Sequence, residues 1–477
     1  MAKHDVTFQR PEYKAAGYGW TLVDDVVAGS EKVKAKGKTY LPQPNPSDLS
    51  AENEERYRQY KARAVFYNAT SRTVQSLVGA AFRKVPALTC PDALKYVEDD
   101  VDGKGISIYQ QSQSAVRQVL KKGRQAILVD YPQVTGPVSR ADMDSGRVRA
   151  TIASFNAEQV INWRTDKIGA THKLVLVVIY EQAEEVTADG FGVDLIPQYR
   201  VLRLQEGVYT QEIWRQAEKG WDLHIPPFVI RNGSGGAWTE IPFTFIGSND
   251  NDASVDPSPL YDMAEVNIAH YRNSADYEEG VYMHGQGTMV LSVGEMAVDQ
   301  FASANPNGVM LGARGGIVLG NNGRADLLQM DANSAAKEAM DQKEEQMRAL
   351  GARLLQSGSA VKTATEAQGD MEQDHSVLSL VVSNVSEAYT LALQWMAEFM
   401  ATSGDCVYQI NQEFTRMNLD APLLTALVGF WQTGEWPRSD MLRVMRNFGL
   451  IDSEKSDEDV ADELETNPPS LELDAAE

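Results

Sequence analysis

The sequence predicts an α+β fold, with long amphipathic helices and a block of antiparallel strands in separate stretches of the chain. Three patterns carry that expectation. Apolar residues recur at steps of three and four over 50–82, 258–282, 333–356 and 365–401, the period of a helix with one buried face. Residues 150–230 instead alternate short β-branched runs with Gly, Asp and Pro turns, an antiparallel pattern. A glycine-broken stretch, 283–332, separates two of the helices.

Taken in order, residues 1–49 contain EKVKAKGKTYLPQPNP and read as an extended arm. A helix begins at Ser50, with Glu52, Glu54 and Glu55 in its acidic first turn. Its face, Tyr57, Tyr60, Ala64, Tyr67, Val74, Val78 and Ala81, reads as continuous to Phe82, and Pro86 and Pro91 stop it. A helix near 107–122 leads through Gly123 into a strand at 125–131, and 241–247 is a further strand. After Asp256-Pro-Ser-Pro, Ser258 is a candidate cap and Pro259 suits a first helical turn. Leu260, Ala264, Ile268, Tyr271, Ala275 and Tyr282 then share one face. The next helix, 333–356, turns Ala336, Met340, Met347, Leu350 and Leu354 inward and Lys337, Asp341, Glu344, Glu345 and Arg348 outward. The last long helix aligns Leu378, Val382, Val385, Tyr389, Ala392, Met396 and Phe399. Run from 365 to 401, it would span about 55 Å, more length than a compact enzyme needs. Shorter helices are expected near 421–432 and 439–448, followed by an acidic tail, 452–477, that reads as disordered apart from a fluctuating helix at 457–465.

Composition narrows the function classes. A hydrophobic content of 43% with eight tryptophans excludes a disordered chain. No apolar run approaches the roughly 20 residues of a membrane helix, and MAKHDVTFQR lacks the apolar core of a secretory signal. Cys90 and Cys406, far apart in sequence, read as two inert thiols in a reducing compartment. The formal charge is −23; eleven acidic residues and one lysine give the segment 452–477 a charge of −10, leaving −13 on the rest. Such a balance excludes an ordinary sequence-nonspecific DNA binder, though not a conduit whose acidic wall repels phosphate. The plain alternative is that the charge keeps the protein soluble.

No catalytic constellation emerges. Gly37-Lys38-Thr39 echoes the end of a phosphate-binding loop, but Lys32 stands where that loop needs its first glycine. Gly308, Gly312, Gly315, Gly316 and Gly320 do not make the dinucleotide spacing and read as turns between short strands. His4, His172, His224, His270, His284 and His375 form no paired metal-ligand motif, and no Gly-x-Ser-x-Gly elbow is present. Residues 421–448 have a helix–turn–helix look with Arg438, Arg443 and Arg446 on the second helix, but the adjoining acidic tail favours packing over operator binding. No catalytic residue, metal or cofactor is therefore assigned.

Several segments, in order along nearly the whole chain, resemble tailed-bacteriophage portal proteins of the uncharacterised-domain, DUF4055-like branch. They are WTLVDDVVAG at 20–29, Tyr40-Leu-Pro, YKARAVFYNATSRTVQSLVGAAFRK at 60–84, GRQAILVDYP at 123–132, INWR at 161–164 and IPFTFIG at 241–247. The strongest are SPLYDMAEVNIAHYRNSADYEEG at 258–280, MRALGARLL at 347–355 and KTATEA at 362–367. The resemblance implies a portal-type subunit: an arm (1–49), a wing of helices and strands (50–257), stem helices (258–282 and 333–356), a small β clip (283–332), a tunnel loop (357–364), a long helix with a helical crown (365–451) and the acidic tail (452–477). It implies a homo-oligomeric ring, usually of twelve subunits, at one capsid vertex of a virion assembled in the host cytoplasm. The implied partners are the terminase large subunit, the major capsid protein and scaffold, a head–tail adaptor and double-stranded DNA passing through, with no membrane. Gln356, Ser357, Gly358, Ser359, Lys362 and Thr363 would face the DNA; Gly308, Gly312, Arg314, Gly315, Gly316 and Gly320 would belong to the clip's docking face. The alternatives are another capsid-associated ring protein, such as a head–tail adaptor, or an enzyme whose site is not visible in the sequence.

Overall fold

The computed structural model describes residues 5–132, 148–218, 220–284, 288–292, 298–304, 321–328, 334–355, 376–412, 437–447 and 455–466, with a few isolated positions between them. It mixes helices and antiparallel strands, an α+β fold, and divides into two compact units, Met1–Gln412 and Glu413–Glu477. That boundary falls inside the stretch 365–451 that the sequence treats as one helical region.

The first 49 residues are not an extended arm. They form α1 (Pro11–Ala28) and α2 (Ser30–Ala35), then a single 3-10 turn at Gly37–Thr39. Pro11 opens α1, where its missing N–H costs nothing. Trp20, Leu22, Val23 and Val26 are buried, and the Trp20 indole donates to the Lys122 carbonyl at 2.9 Å. The lysines and glycine that suggested a loop begin only at α2; the apolar spacing upstream of them is helical.

The expected helix from 50 to 82 is two helices, α3 (Ala51–Arg63) and α4 (Ala69–Ala81). Ser50 caps the first and Asn68 the second, each accepting the amide three residues on. Between them the chain is extended: Ala64 has ψ 133°, and Ala64 and Phe66 are buried. After β1 (Ala87–Thr89), helix α5 (Ile108–Lys122) ends at Gly123 in the left-handed conformation, φ 70°. A Cβ on Gly123 would lie 2.4 Å from the Pro257 carbonyl oxygen, so only glycine fits this crossing.

Strand β2 (Arg124–Asp130) is the centre of a three-stranded antiparallel sheet, between β3 (Thr151–Asn156) and β9 (Phe243–Gly247). A five-stranded meander follows the chain: β4 (Val160–Ile168), β5 (Thr171–Val186), β6 (Val193–Gln205), β7 (Val208–Ala217) and β8 (Gly220–Val229). Ile161, Val178, Tyr199 and Val201 are its core, covered partly by Val6 and by Tyr13 of α1. The strands are longer than the sequence pattern suggests, because the far ends of β5 and β6 lie outside that core. Beyond Tyr180 no residue of β5 is buried.

Helix α6 (Tyr261–His284) precedes the insert, which contains β10 (Thr288–Ser292), α7 (Val298–Ala304) and β11 (Arg324–Leu328). Strands β10 and β11 pair antiparallel, from Thr288 opposite Leu328 to Ser292 opposite Arg324. Helix α8 (Ala335–Leu355) follows. The last long helix is α9 (Val377–Phe399), about 35 Å at 1.5 Å per residue, with residues 365–375 outside the described part. All seven residues aligned from the sequence are buried, but so are Val381, Ala388, Leu393 and Trp395. Its length spans the interior of the first unit, against β2, β9 and α5, rather than an outer wall. Phe399 stacks on Trp238 with ring centroids 4.0 Å apart, and the Asn384 amide donates to the Gly247 carbonyl at 2.9 Å. Strand β12 (Val407–Gln409) returns to pair with β1.

In the second unit, α10 (Arg438–Asn447) and α11 (Asp457–Thr466) are described; the expected helix at 421–432 lies outside the described residues. Part of the acidic tail is therefore helical, with Asp457, Glu458 and Asp459 in the first turn of α11, where they oppose the helix dipole.

Candidate functional site

The most distinctive local construction is the antiparallel pair α6–α8 with the strand insert at its end. Ser258 sets the start of α6: its hydroxyl accepts the Leu260 amide at 3.3 Å and donates to the Lys121 carbonyl at 2.6 Å. The helix itself begins two residues after Pro259.

Leu260, Ala264, Ile268, Tyr271 and Ala275 are buried as their spacing predicts, but Tyr282 is not. From Asp276 onward no described residue of α6 is buried, and Val281, Tyr282 and Met283 are exposed. The Arg63 guanidinium lies 4.1 Å over the Tyr282 ring, which keeps that ring at the surface. Helix α8 has the mirror pattern. Met347 and Leu354, towards its end, are buried, whereas Ala336, Met340 and Leu350 are only half-covered. The two helices thus leave the core together, at the end that carries the insert.

Helix α6 is stitched to α3, to α4 and to the extended link between them. The Asn267 side chain accepts from the Thr70 amide (3.2 Å) and hydroxyl (2.9 Å) and donates to the Tyr67 carbonyl (2.8 Å). The Ser274 hydroxyl accepts the Val65 amide at 2.9 Å, Tyr60 donates to Asp276 at 2.6 Å, and Arg63 pairs with Glu279. Breaking the long helix frees backbone groups, and α6 side chains satisfy them. Spacing along 50–82 cannot reveal this, because the partners lie 197 to 209 residues away.

Between α6 and α8 sits His270, 2% exposed, with Glu344 Oε1 at 3.6 Å from Nε2. Neither ring nitrogen has a hydrogen-bond partner. Burial pushes its pKa down, and Glu344 opposes that only in part. It is a neutral packing residue at neutral pH.

A cavity of about 360 Å³ lies where β2 meets β6, β7 and β8. Its charges are satisfied internally. Arg200 holds Asp130 at 3.0 Å and Glu181 at 3.2 Å, and Arg215 pairs with Glu185. The lining residues include no histidine, cysteine, lysine or serine. A buried guanidinium, Arg124, lies 3.6 Å over Phe245 and 4.1 Å over Trp163 and donates to the Ser254 carbonyl at 2.6 Å. Burial lowers its pKa to about 9, still protonated at neutral pH.

The other residues singled out from sequence are dispersed. Lys38, in its 3-10 turn, pairs with Glu54 at 2.8 Å. His172 and His224 are exposed, and the described residues hold no group of three potential metal ligands. Arg443 pairs with Asp440 at 3.0 Å and Arg446 with Asp457, so two of the three arginines of the helix–turn–helix stretch are neutralised. Gln356, Ser357, Gly358, Ser359, Lys362 and Thr363 lie outside the described residues, as do Gly308, Gly312, Arg314, Gly315, Gly316 and Gly320. No described helix is long and apolar enough to cross a membrane.

The sequence model of a family described as a domain of unknown function, DUF4055, matches residues 259–400, from the start of α6 to the end of α9. No curated protein matches the chain. Solved structures with some likeness include one described as the virion of a native gene transfer agent particle, at 13% identity and TM-score 0.40, covering 82% of this chain and 91% of that one. Two more are the neck of the native particle computed with C12 symmetry (13%, TM-score 0.39, 80% and 90% covered) and the neck of the empty particle computed with C6 symmetry (14%, 0.40, 82% and 93%). Likeness at this level fixes neither the assembly nor the role of this chain.

Proposed function

We propose that the protein is a phage-type portal subunit, a non-catalytic structural protein that closes into a ring around a DNA channel. The observation that carries the reading is the α6–insert–α8 construction. Two helices anchored in the core leave it side by side and hold a small β module beyond it, in the order that the portal resemblance assigns to stem, clip and stem. Unpartnered apolar surface supports assembly. Phe191 is 95% exposed and Val186 70%, at the end of the β5–β6 hairpin, where Val193 and Leu195 are also uncovered. Heterologous contacts between such surfaces generate closed rings when the rotation closes.

In this reading the insert docks the packaging motor and later the head–tail adaptor, and the capsid shell and scaffold contact the outer surface. The stretch 357–364 is the tunnel loop. Lys362, its only charge, forms a diffuse positive collar that touches phosphate weakly and in a salt-dependent way. Negative-stain microscopy of the purified chain tests the proposal: a rotationally symmetric ring with a central channel supports it, whereas a smaller ring favours a head–tail adaptor and isolated monomers contradict both. Lys362→Glu should lower packaged-DNA yield while rings still form; normal yield and particle stability would remove the tunnel-loop assignment.

A further inference from the structure

The two cysteines are separated by most of the chain but brought together by the smallest sheet. Strands β1 and β12 pair antiparallel, with Ala87 opposite Gln409, Leu88 opposite Tyr408 and Thr89 opposite Val407. One step further, the same register sets Cys90 opposite Cys406. The hydrogen-bond phase of that step follows from Tyr408. Its amide donates to the Thr390 hydroxyl at 2.9 Å and its carbonyl accepts from the same hydroxyl at 3.1 Å, so its polar groups face α9 rather than β1.

Leu88–Tyr408 is therefore a non-hydrogen-bonded pair, and by alternation so is Cys90–Cys406. Such pairs have Cα atoms about 4.5 Å apart with side chains close, within the roughly 4.4–6.8 Å that disulfides span. Alternation also puts Cys90 on the face of Leu88 and Cys406 on that of Tyr408, the side turned to the interior. The strands stay close past this point: a Cβ on Gly404 would come within 2.9 Å of the Pro91 ring.

We infer that Cys90 and Cys406 are a redox-convertible pair that closes into a cross-strand disulfide joining β1 to β12. Both thiols are free in the structure; Cys90 is half-buried and Cys406 is buried. The oxidant class is a low-molecular-weight disulfide. The more accessible Cys90 thiolate attacks one of its sulfurs and releases one thiol. Cys406, as thiolate, then attacks the Cys90 sulfur of the mixed disulfide and releases the second. Two protein thiols and one small disulfide thus become one protein disulfide and two small thiols. Burial raises both thiol pKa values, so closure is slow at neutral pH and faster as pH rises. The bond would fasten β12, the last strand before the boundary at Gln412; in a reducing compartment the pair stays open.

The test incubates the reduced full-length protein with oxidised glutathione at mildly alkaline pH, then alkylates, maps peptides and runs a non-reducing gel. The expected result is loss of both thiols without a retained glutathione, a Cys90–Cys406 peptide and faster migration, with the mixed disulfide on Cys90 resolving faster in the folded chain than in urea, because folding raises the effective concentration of one thiol at the other. Cys406→Ser should instead retain glutathione on Cys90, and Cys90→Ser should leave Cys406 free. A folded wild-type chain that keeps both thiols, retains glutathione on Cys90 beside a free Cys406, or links only between chains would overturn the inference. This outcome is independent of whether the protein forms a ring.

Discussion

Asn267 satisfies three polar groups at once, the Tyr67 carbonyl in the link between α3 and α4 and the Thr70 amide and hydroxyl in the first turn of α4. Replacing it with alanine leaves the buried Thr70 amide and hydroxyl without partners, while the Tyr67 carbonyl keeps the Ala69 amide at 2.9 Å, so Asn267→Ala should destabilise the first unit by about 2–3 kcal/mol. Denaturant unfolding measures that loss; an unchanged midpoint would show that water replaces the side chain. His270 predicts a pH effect. Its folded pKa is depressed below the unfolded value of about 6.5, so the unfolded chain binds the proton more readily. Its contribution to stability is therefore present above about pH 6.5 and lost as pH falls below it. His270→Leu should flatten the thermal midpoint between about pH 6.5 and 5, a window above that of the carboxylates. A slope as steep as wild type would assign the effect to another group. Neither role is legible locally: Asn267 and His270 look like polar positions near a helix face, and their partners come from remote segments.

Among the elements, α9 was the most readable. Its seven aligned residues are all interior, and Leu380, Ser383, Glu387, Gln394 and Glu398 form an exposed stripe opposite them, so the apolar period stands out. The α3–α4 break was not readable, since a helix and two collinear pieces give much the same spacing. The N-terminal helices were masked by a lysine- and glycine-rich segment that begins after the buried Trp20 turn. At this scale the insert between α6 and α8 is expected to be dispensable for folding. The described ends of both helices next to it are unburied, so replacing residues 285–333 with a short linker should leave helix content per residue and the thermal midpoint nearly unchanged. A fall in the midpoint of several degrees would make the insert part of the folding unit. If the shortened chain still captured the packaging motor, the docking surface would lie elsewhere.

For the whole molecule, the α+β class and the order of helices, strands and insert were legible because they rest on periodicity, whereas assembly rests on surfaces that periodicity does not label. The end of the β5–β6 hairpin is such a surface. Phe191→Ser should change subunit stability by no more than about 0.5 kcal/mol, since the ring is exposed, yet raise the concentration at which oligomers form. Equal assembly in wild type and variant would remove the hairpin from the interface. The central claim is the closed ring, and native mass spectrometry of the purified chain across protein and salt concentration tests it most directly. The account predicts one dominant high-order species of fixed stoichiometry that persists on dilution. A monomer at every concentration and ionic strength, or an open ladder of sizes with no preferred number, would contradict it.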